Sequence, residues 1–197
     1  MTHGKNPFSR IRMRSMSMAL TLLLLFHPAL LFPQKSPRHR FSHTENTYTF
    51  SGTFRIRADP ACLLTILYEF DHFRQFMSHV KDIRCTRKGT GWYEVRYRYS
   101  RIFYSAETTF RRTLDLKKWK VDYEMISIRQ SGLITPDIIS ITGYYSLTPE
   151  ADGFRVTFFQ QGKLASRMLS GVFFYHAEKE AIGFLKKMRQ YARTHCH

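Results

Sequence analysis

Asp59-Pro60-Ala61-Cys62-Leu63-Leu64-Thr65-Ile66-Leu67-Tyr68-Glu69-Phe70-Asp71-His72-Phe73-Arg74-Gln75-Phe76-Met77 decides the fold. Asp59 is a side-chain cap for a helix, and Pro60 suits its first position, where no amide donor is needed. Leu63, Leu64, Ile66, Leu67 and Phe70 give that helix an apolar side. Asp71 is then expected to cap a second short helix that buries Phe73, Phe76, Met77 and Val80. One strand-like run precedes this pair and several follow it. That order predicts a sheet that curls around something.

Upstream, Tyr48, Phe50, Gly52, Phe54 and Ile56 alternate with polar residues, the period of a half-buried strand. Downstream, strand patterns recur over 82–87, 92–99, 103–113, 119–125, 138–147 and 154–161, separated by short turns. The period becomes helical from about Lys163 to Tyr191, with Leu164, Met168, Val172, Tyr175, Ile182, Leu185 and Met188 near one stripe. Gly171 and Gly183 weaken such a helix, which suggests close packing at both. Short turns between consecutive strands make an antiparallel meander, and its twist wraps it around the terminal helix. The expected fold is therefore α+β: a strongly curved antiparallel sheet of about seven strands around a long C-terminal helix, with two short helices after the first strand.

Charge and hydropathy divide the chain. The net charge is +16, and residues 1–40 carry seven Lys or Arg and no acid. The remainder holds 24 basic against 15 acidic residues, or +9. A basic body favours anionic neighbours, and Arg96, Arg98 and Arg111 on an outward strand face suit an anionic membrane surface. Nucleic acid is not expected, because Glu94 and Glu107 interleave with those cations. Arg10, Arg12 and Arg14 precede an apolar run from Met18 to Phe32. At ~1.5 Å per residue the run reaches ~22 Å, short of a ~30 Å hydrocarbon layer. Residues 1–32 read as a signal peptide or N-terminal membrane anchor, and the protein as exported: periplasmic, extracytoplasmic or membrane-anchored. Residues 33–46 read as a linker, 47–192 as the folded domain and 193–197 as a tail. Cys62 and Cys85 can pair if the first helix packs beside the strand that starts near Asp82.

The pattern over 46–192 resembles the helix-grip superfamily, which includes START domains, Bet v 1-like proteins, polyketide cyclases and coenzyme Q-binding proteins (SRPBCC). The resemblance rests on Tyr48-Thr49-Phe50-Ser51-Gly52, Ala58-Asp59-Pro60, Tyr68 to Met77, Ile141-Thr142-Gly143-Tyr144-Tyr145-Ser146-Leu147, and Phe154-Arg155-Val156-Thr157-Phe158. It implies a hydrophobic cavity between the sheet and the long helix. It also implies a lipid, sterol or quinone-like ligand. It carries over no catalytic residue, and no cofactor or metal is expected.

Strand alternation and the helical stripe nominate the cavity wall: Tyr97, Tyr99, Tyr123, Met125, Ile141, Tyr145, Phe158, Gln160, Met168, Val172 and Tyr175. Tyr93, Val95, Val121 and Ile139 share the same inward parity. Buried phenols and the Gln160 amide require hydrogen-bond partners, from the protein, water or a ligand. His176 and Glu180 stand one helical turn apart and read as a surface pair. The expected role is binding of a hydrophobic, lipid-like molecule for sequestration or transport. A cyclase/aromatase-type enzyme and a partner-binding domain with a filled core are the alternatives. Movement of residues 131–137 or 100–103 is the expected gate.

Overall fold

The alternation of Tyr48, Phe50, Phe54 and Ile56 produces a strand whose apolar side is buried along its whole length. The computed structural model describes residues 36–101, 104–132, 137–165 and 170–196. The apolar run 18–32, Met168 and the centres of both expected gates lie outside the described residues. Among the described residues no helix is long and apolar enough to cross a membrane.

Eight strands form one antiparallel sheet: β1 (Arg38–His43), β2 (Thr47–Ile56), β3 (Val80–Gly89), β4 (Trp92–Arg101), β5 (Tyr104–Asp115), β6 (Lys120–Gly132), β7 (Ile138–Glu150) and β8 (Gly153–Leu164). Their spatial order is β1-β2-β8-β7-β6-β5-β4-β3. β3 to β8 form the expected meander, and β8 returns to pair with β2 in a register from Thr47↔Lys163 to Ile56↔Phe154. Helix α1 (Pro60–Tyr68) and a 3-10 turn (Phe70–Gln75) connect β2 to β3 at the far edge. Helix α2 (Ser170–His195) buries Phe174, Leu185, Met188 and Ala192.

The opening motif starts as its residues dictate and departs after Tyr68: the second element is a 3-10 turn that ends at Gln75, Met77 beyond it is half-buried, and Val80 belongs to β3 rather than to a helix. The Cys62 amide donates to Asp59 Oδ2 at 2.7 Å, and Pro60 begins α1. Leu63, Leu64, Ile66 and Leu67 are buried. Asp71, however, caps nothing: the next element starts at Phe70, behind an extended Glu69 with no side-chain cap. A 3-10 turn aligns every third residue, so Phe70, Phe73 and Phe76 stack along one side. Phe73 and Phe76 end up 2% and 1% exposed, and their rings lie 5.0 Å apart.

Five further expectations are corrected. The sheet has eight strands rather than about seven, because residues 38–43 of the expected linker pair with β2 from Arg38↔Thr53 to His43↔Tyr48. Residues 163–164 extend β8 instead of opening the helix. Leu164 is fully buried, and its amide donates to Asn46 O at 2.7 Å. Gly171 and Gly183 face open space, with no atom beyond the adjoining helix backbone within 4 Å of a β-carbon built on either, so close packing does not explain them. Cys62 pairs with Cys196 rather than Cys85, across a Cα–Cα distance of 5.6 Å. Cys85 is exposed and free on the edge strand β3. The expected tail over 193–197 is helical to His195, and α2 brings Cys196, 2% exposed, against the start of α1.

Candidate functional site

A cavity of about 420 Å³ lies between the sheet and α2, partly open to solvent. Of the predicted wall residues, Tyr97, Tyr99, Tyr123, Ile141, Tyr145, Phe158, Gln160 and Val172 line it. Met125 and Tyr175 do not. Tyr175 turns outward on the first turns of α2 and is 62% exposed. Met125 fails for a reason in the ladder. Thr109 pairs with Ser127 while Phe110 pairs with Met125, so Ile126 is an extra residue on β6. Such a bulge reverses the inward parity beyond it. Met125, at the bend, is half-buried off the cavity wall, and Ile128 takes the inward place. The same event on β7, between Ile138 and Ser140, leaves Ile139 exposed and puts Ile138 on the wall.

The polar interior is built by small residues opposite large ones. Gly162 pairs with Tyr48, and a β-carbon there would collide with the Tyr48 ring. Gly143 lies opposite both Tyr123 and Gln160, and a β-carbon there would strike the Tyr123 phenol and the Phe159 carbonyl. The space lets both phenols reach the Gln160 amide. Gln160 Nε2 donates to Tyr48 Oη at 2.7 Å, and Tyr123 Oη shares its one proton between Gln160 Oε1 at 3.1 Å and Phe159 O at 3.2 Å. The amide's partners are therefore tyrosines of the protein itself.

Arg112 was absent from the expected wall, yet it is the most unusual residue there. It is 3% exposed and lines the cavity from β5. Its guanidinium lies 4.2 Å from the Phe73 ring centre and 5.5 Å from that of Tyr145. One Nη2 donates to the Leu67 carbonyl near the end of α1. Period two along β5 carries the signal, since Thr108, Phe110 and Arg112 share one face. Its neighbour Arg111 faces the other way and pairs with Glu94 at 2.9 Å. Arg96 and Arg98 lie 3.7 and 3.9 Å from Glu107, so cross-strand pairs occupy the cations of that outer face.

At the rim, His176 and Glu180 both line the cavity rather than forming a remote surface pair, and Glu180 lies 3.9 Å from His79. Phe73, Phe76 and Phe184 complete the apolar side. Among the described residues no group of three or more His, Cys, Asp or Glu side chains could hold a metal ion.

Burial raises the pKa of Tyr48 to about 12, against a weaker opposing effect of its bond from Gln160. Burial likewise pushes up Tyr93, Tyr97, Tyr123 and Tyr145, with the Arg112 charge opposing it. All five phenols are thus neutral at pH 7. Below pH 10 they are neutral in the folded and unfolded chains alike, and their packing contributes fully. Between pH 10 and 12 the unfolded chain releases protons that the folded chain retains, so stability falls as pH rises. Tyr48 alone is expected to account for a few kcal/mol of that loss. In a tyrosinate absorbance titration, the buried set should ionise only together with cooperative unfolding. Smooth ionisation of all eleven tyrosines near pH 10 would contradict this burial.

Comparison by sequence finds no matching family profile and no matching curated protein. Comparison by structure finds many. The STAR-related lipid transfer protein of Xanthomonas axonopodis superposes with a TM-score of 0.61 at 18% identity, covering 84% of this chain and 98% of its own. The Zhui aromatase/cyclase of Streptomyces sp. R1128 gives 0.57 at 14% identity, covering 79% and 93%. The major latex-like protein 151 of Panax ginseng gives 0.55 at 10% identity, covering 75% and 98%. The fold is the helix-grip fold. At these identities the likeness concerns architecture, and a shared fold does not by itself imply a shared function.

Proposed function

We propose that this helix-grip protein binds a hydrophobic, lipid-like small molecule between the sheet and α2, and sequesters or carries it. The observation that carries the reading is the cavity itself. Packed cores leave few voids larger than a water molecule, whereas here a space of about 420 Å³ is lined by Phe158 and Tyr145 of the sheet and by Ala177 and Ala181 of α2. That volume falls within the range of small-molecule sites, and its wall is mostly apolar with a few convergent polar groups. A lipid transfer protein among the structural neighbours accords with this reading. Export is part of the proposal. It is supported by the basic-then-apolar residues 10–32 and by a disulfide, a bond that persists in oxidising compartments.

Native mass spectrometry of the full chain, purified from the membrane fraction of its expression host, tests the reading. A co-purifying molecule of a few hundred daltons is expected, lost on solvent extraction and regained from lipid vesicles. A bare protein mass both before and after incubation with vesicles would overturn it.

A further inference from the structure

The Arg112 guanidinium poses a charge problem that the protein leaves open. The group stays protonated at any physiological pH and is 3% exposed. A buried cation is costly unless a counter-charge and hydrogen bonds compensate it. One Nη2 bond goes to the neutral Leu67 carbonyl, the phenol oxygens of Tyr97 and Tyr145 accept further hydrogen bonds from the guanidinium, and Nε has no partner. The side chains that act on its charge are the phenols of Tyr93, Tyr97, Tyr145 and Tyr123. These are dipoles, not anions. Among the described residues no Asp or Glu forms an ion pair with it. Glu180, the one carboxylate on the described wall, belongs to the rim beside His79, with its side chain 40% exposed.

We propose that the ligand carries a carboxylate on an apolar body, and that Arg112 receives the carboxylate. The inference rests on the cavity being a ligand site. Its geometry follows from the wall. Arg112 lies on the floor made by Phe73, Tyr145 and the end of α1, while Phe158, Phe184 and Ile141 supply apolar surface for the ligand's body. A carboxylate matches the planar fork of a guanidinium and forms strong charge-assisted bonds in a water-poor site. Arg112 is also the one Lys or Arg on the described wall. A single cation suits a monoanion, whereas a phosphate dianion would keep an unmatched charge. The competing account is structural: Arg112 serves only the last carbonyls of α1, a favourable place for a cation.

The two accounts differ in a measurement on the unaltered protein. Dissociation constants are compared at pH 8 for dodecanoic acid, its methyl ester, dodecanol and dodecyl phosphate. The acid is expected to bind at least ~10-fold more tightly than ester or alcohol. Arg112→Met should weaken the acid by a similar factor and leave the ester within about threefold, while Arg112→Lys should retain part of the preference. Equal binding of acid and ester by the unaltered protein overturns the carboxylate assignment while the cavity function stands. Tighter binding of the phosphate than of the acid also overturns it. Failure of all four probes overturns the cavity function and this inference together. Because the acid-to-ester ratio is read on the unaltered chain, a misfolded Arg112→Met variant would still leave the assignment decided.

Discussion

Breaking the Cys62–Cys196 disulfide, by reduction or by the paired change Cys62→Ala/Cys196→Ala, is expected to lower unfolding free energy by about 3–5 kcal/mol. The bond joins residues 134 apart and so closes everything from α1 to the end of α2 into one loop, leaving out only β1 and β2. The entropy withheld from the unfolded chain grows with loop length, and a loop of this size stands near the upper end of the effect. The native contacts around it are also specific. Tyr191 stacks on His195 at 3.9 Å and meets the His72 imidazole through its hydroxyl at 2.9 Å, so the last turns of α2 lie on the 3-10 turn. Without the bond, the order of those turns depends on Tyr191 and on a few apolar contacts. Urea unfolding with and without reductant measures the difference, and hydrogen exchange locates it. The midpoint should fall, and amides near the end of α2 should lose protection first. An unchanged midpoint would mean that the bond constrains nothing the fold does not already hold.

Local chemistry made part of this fold legible. The start of α1 is written in two adjacent residues, Asp59 and Pro60, and the structure shows the cap they imply. The strand over Trp92–Arg101 follows from alternation alone, with Tyr93, Val95 and Tyr97 buried on one face. Features set by distant partners were not legible. β1 buries little besides part of Phe41, so no hydrophobic alternation marks it; pairing with β2 makes it a strand. Cys196 finds Cys62 only because a helix of 26 residues carries it across the domain.

The cavity wall shows the same division. Alternation found Tyr97, Tyr145, Phe158 and Gln160, because each lies on a stretch of unbroken register. It failed at Met125 and Ile139, each beside or within a bulge whose extra residue leaves no sequence mark. Arg112 obeys the alternation, sharing the inward face of β5 with Thr108 and Phe110, but a cation carries no hydrophobic signal to mark it. Its burial becomes intelligible only when the Leu67 carbonyl, the Phe73 ring and the tyrosine cluster are placed around it. A residue that breaks the expected hydrophobic pattern in this way is where function is best sought.

Filling the cavity from the helix side is expected to abolish ligand uptake while the protein remains folded. Ala177 and Ala181 stand one turn apart on α2, and both line the cavity. Neither is among the fully packed positions of α2, which are Phe174, Leu185, Met188 and Ala192. In Ala177→Phe/Ala181→Phe, each substitution adds roughly 100 Å³ of side chain, and together they would occupy about half of the available volume. The 420 Å³ space beside both alanines has room for the new rings. Stability should therefore hold or rise, since the added rings bury apolar surface beside Phe173 and Phe184. Ligand affinity should drop at least ~100-fold, a loss of about 3 kcal/mol, because the body of the ligand has no alternative place to leave water. Paired measurements of thermal midpoint and lipid uptake read both effects. Loss of uptake with a retained midpoint places the ligand between sheet and helix. Undiminished uptake by the filled protein would move the ligand elsewhere on the molecule, and would make the polar cluster at Gln160 a matter of core packing alone.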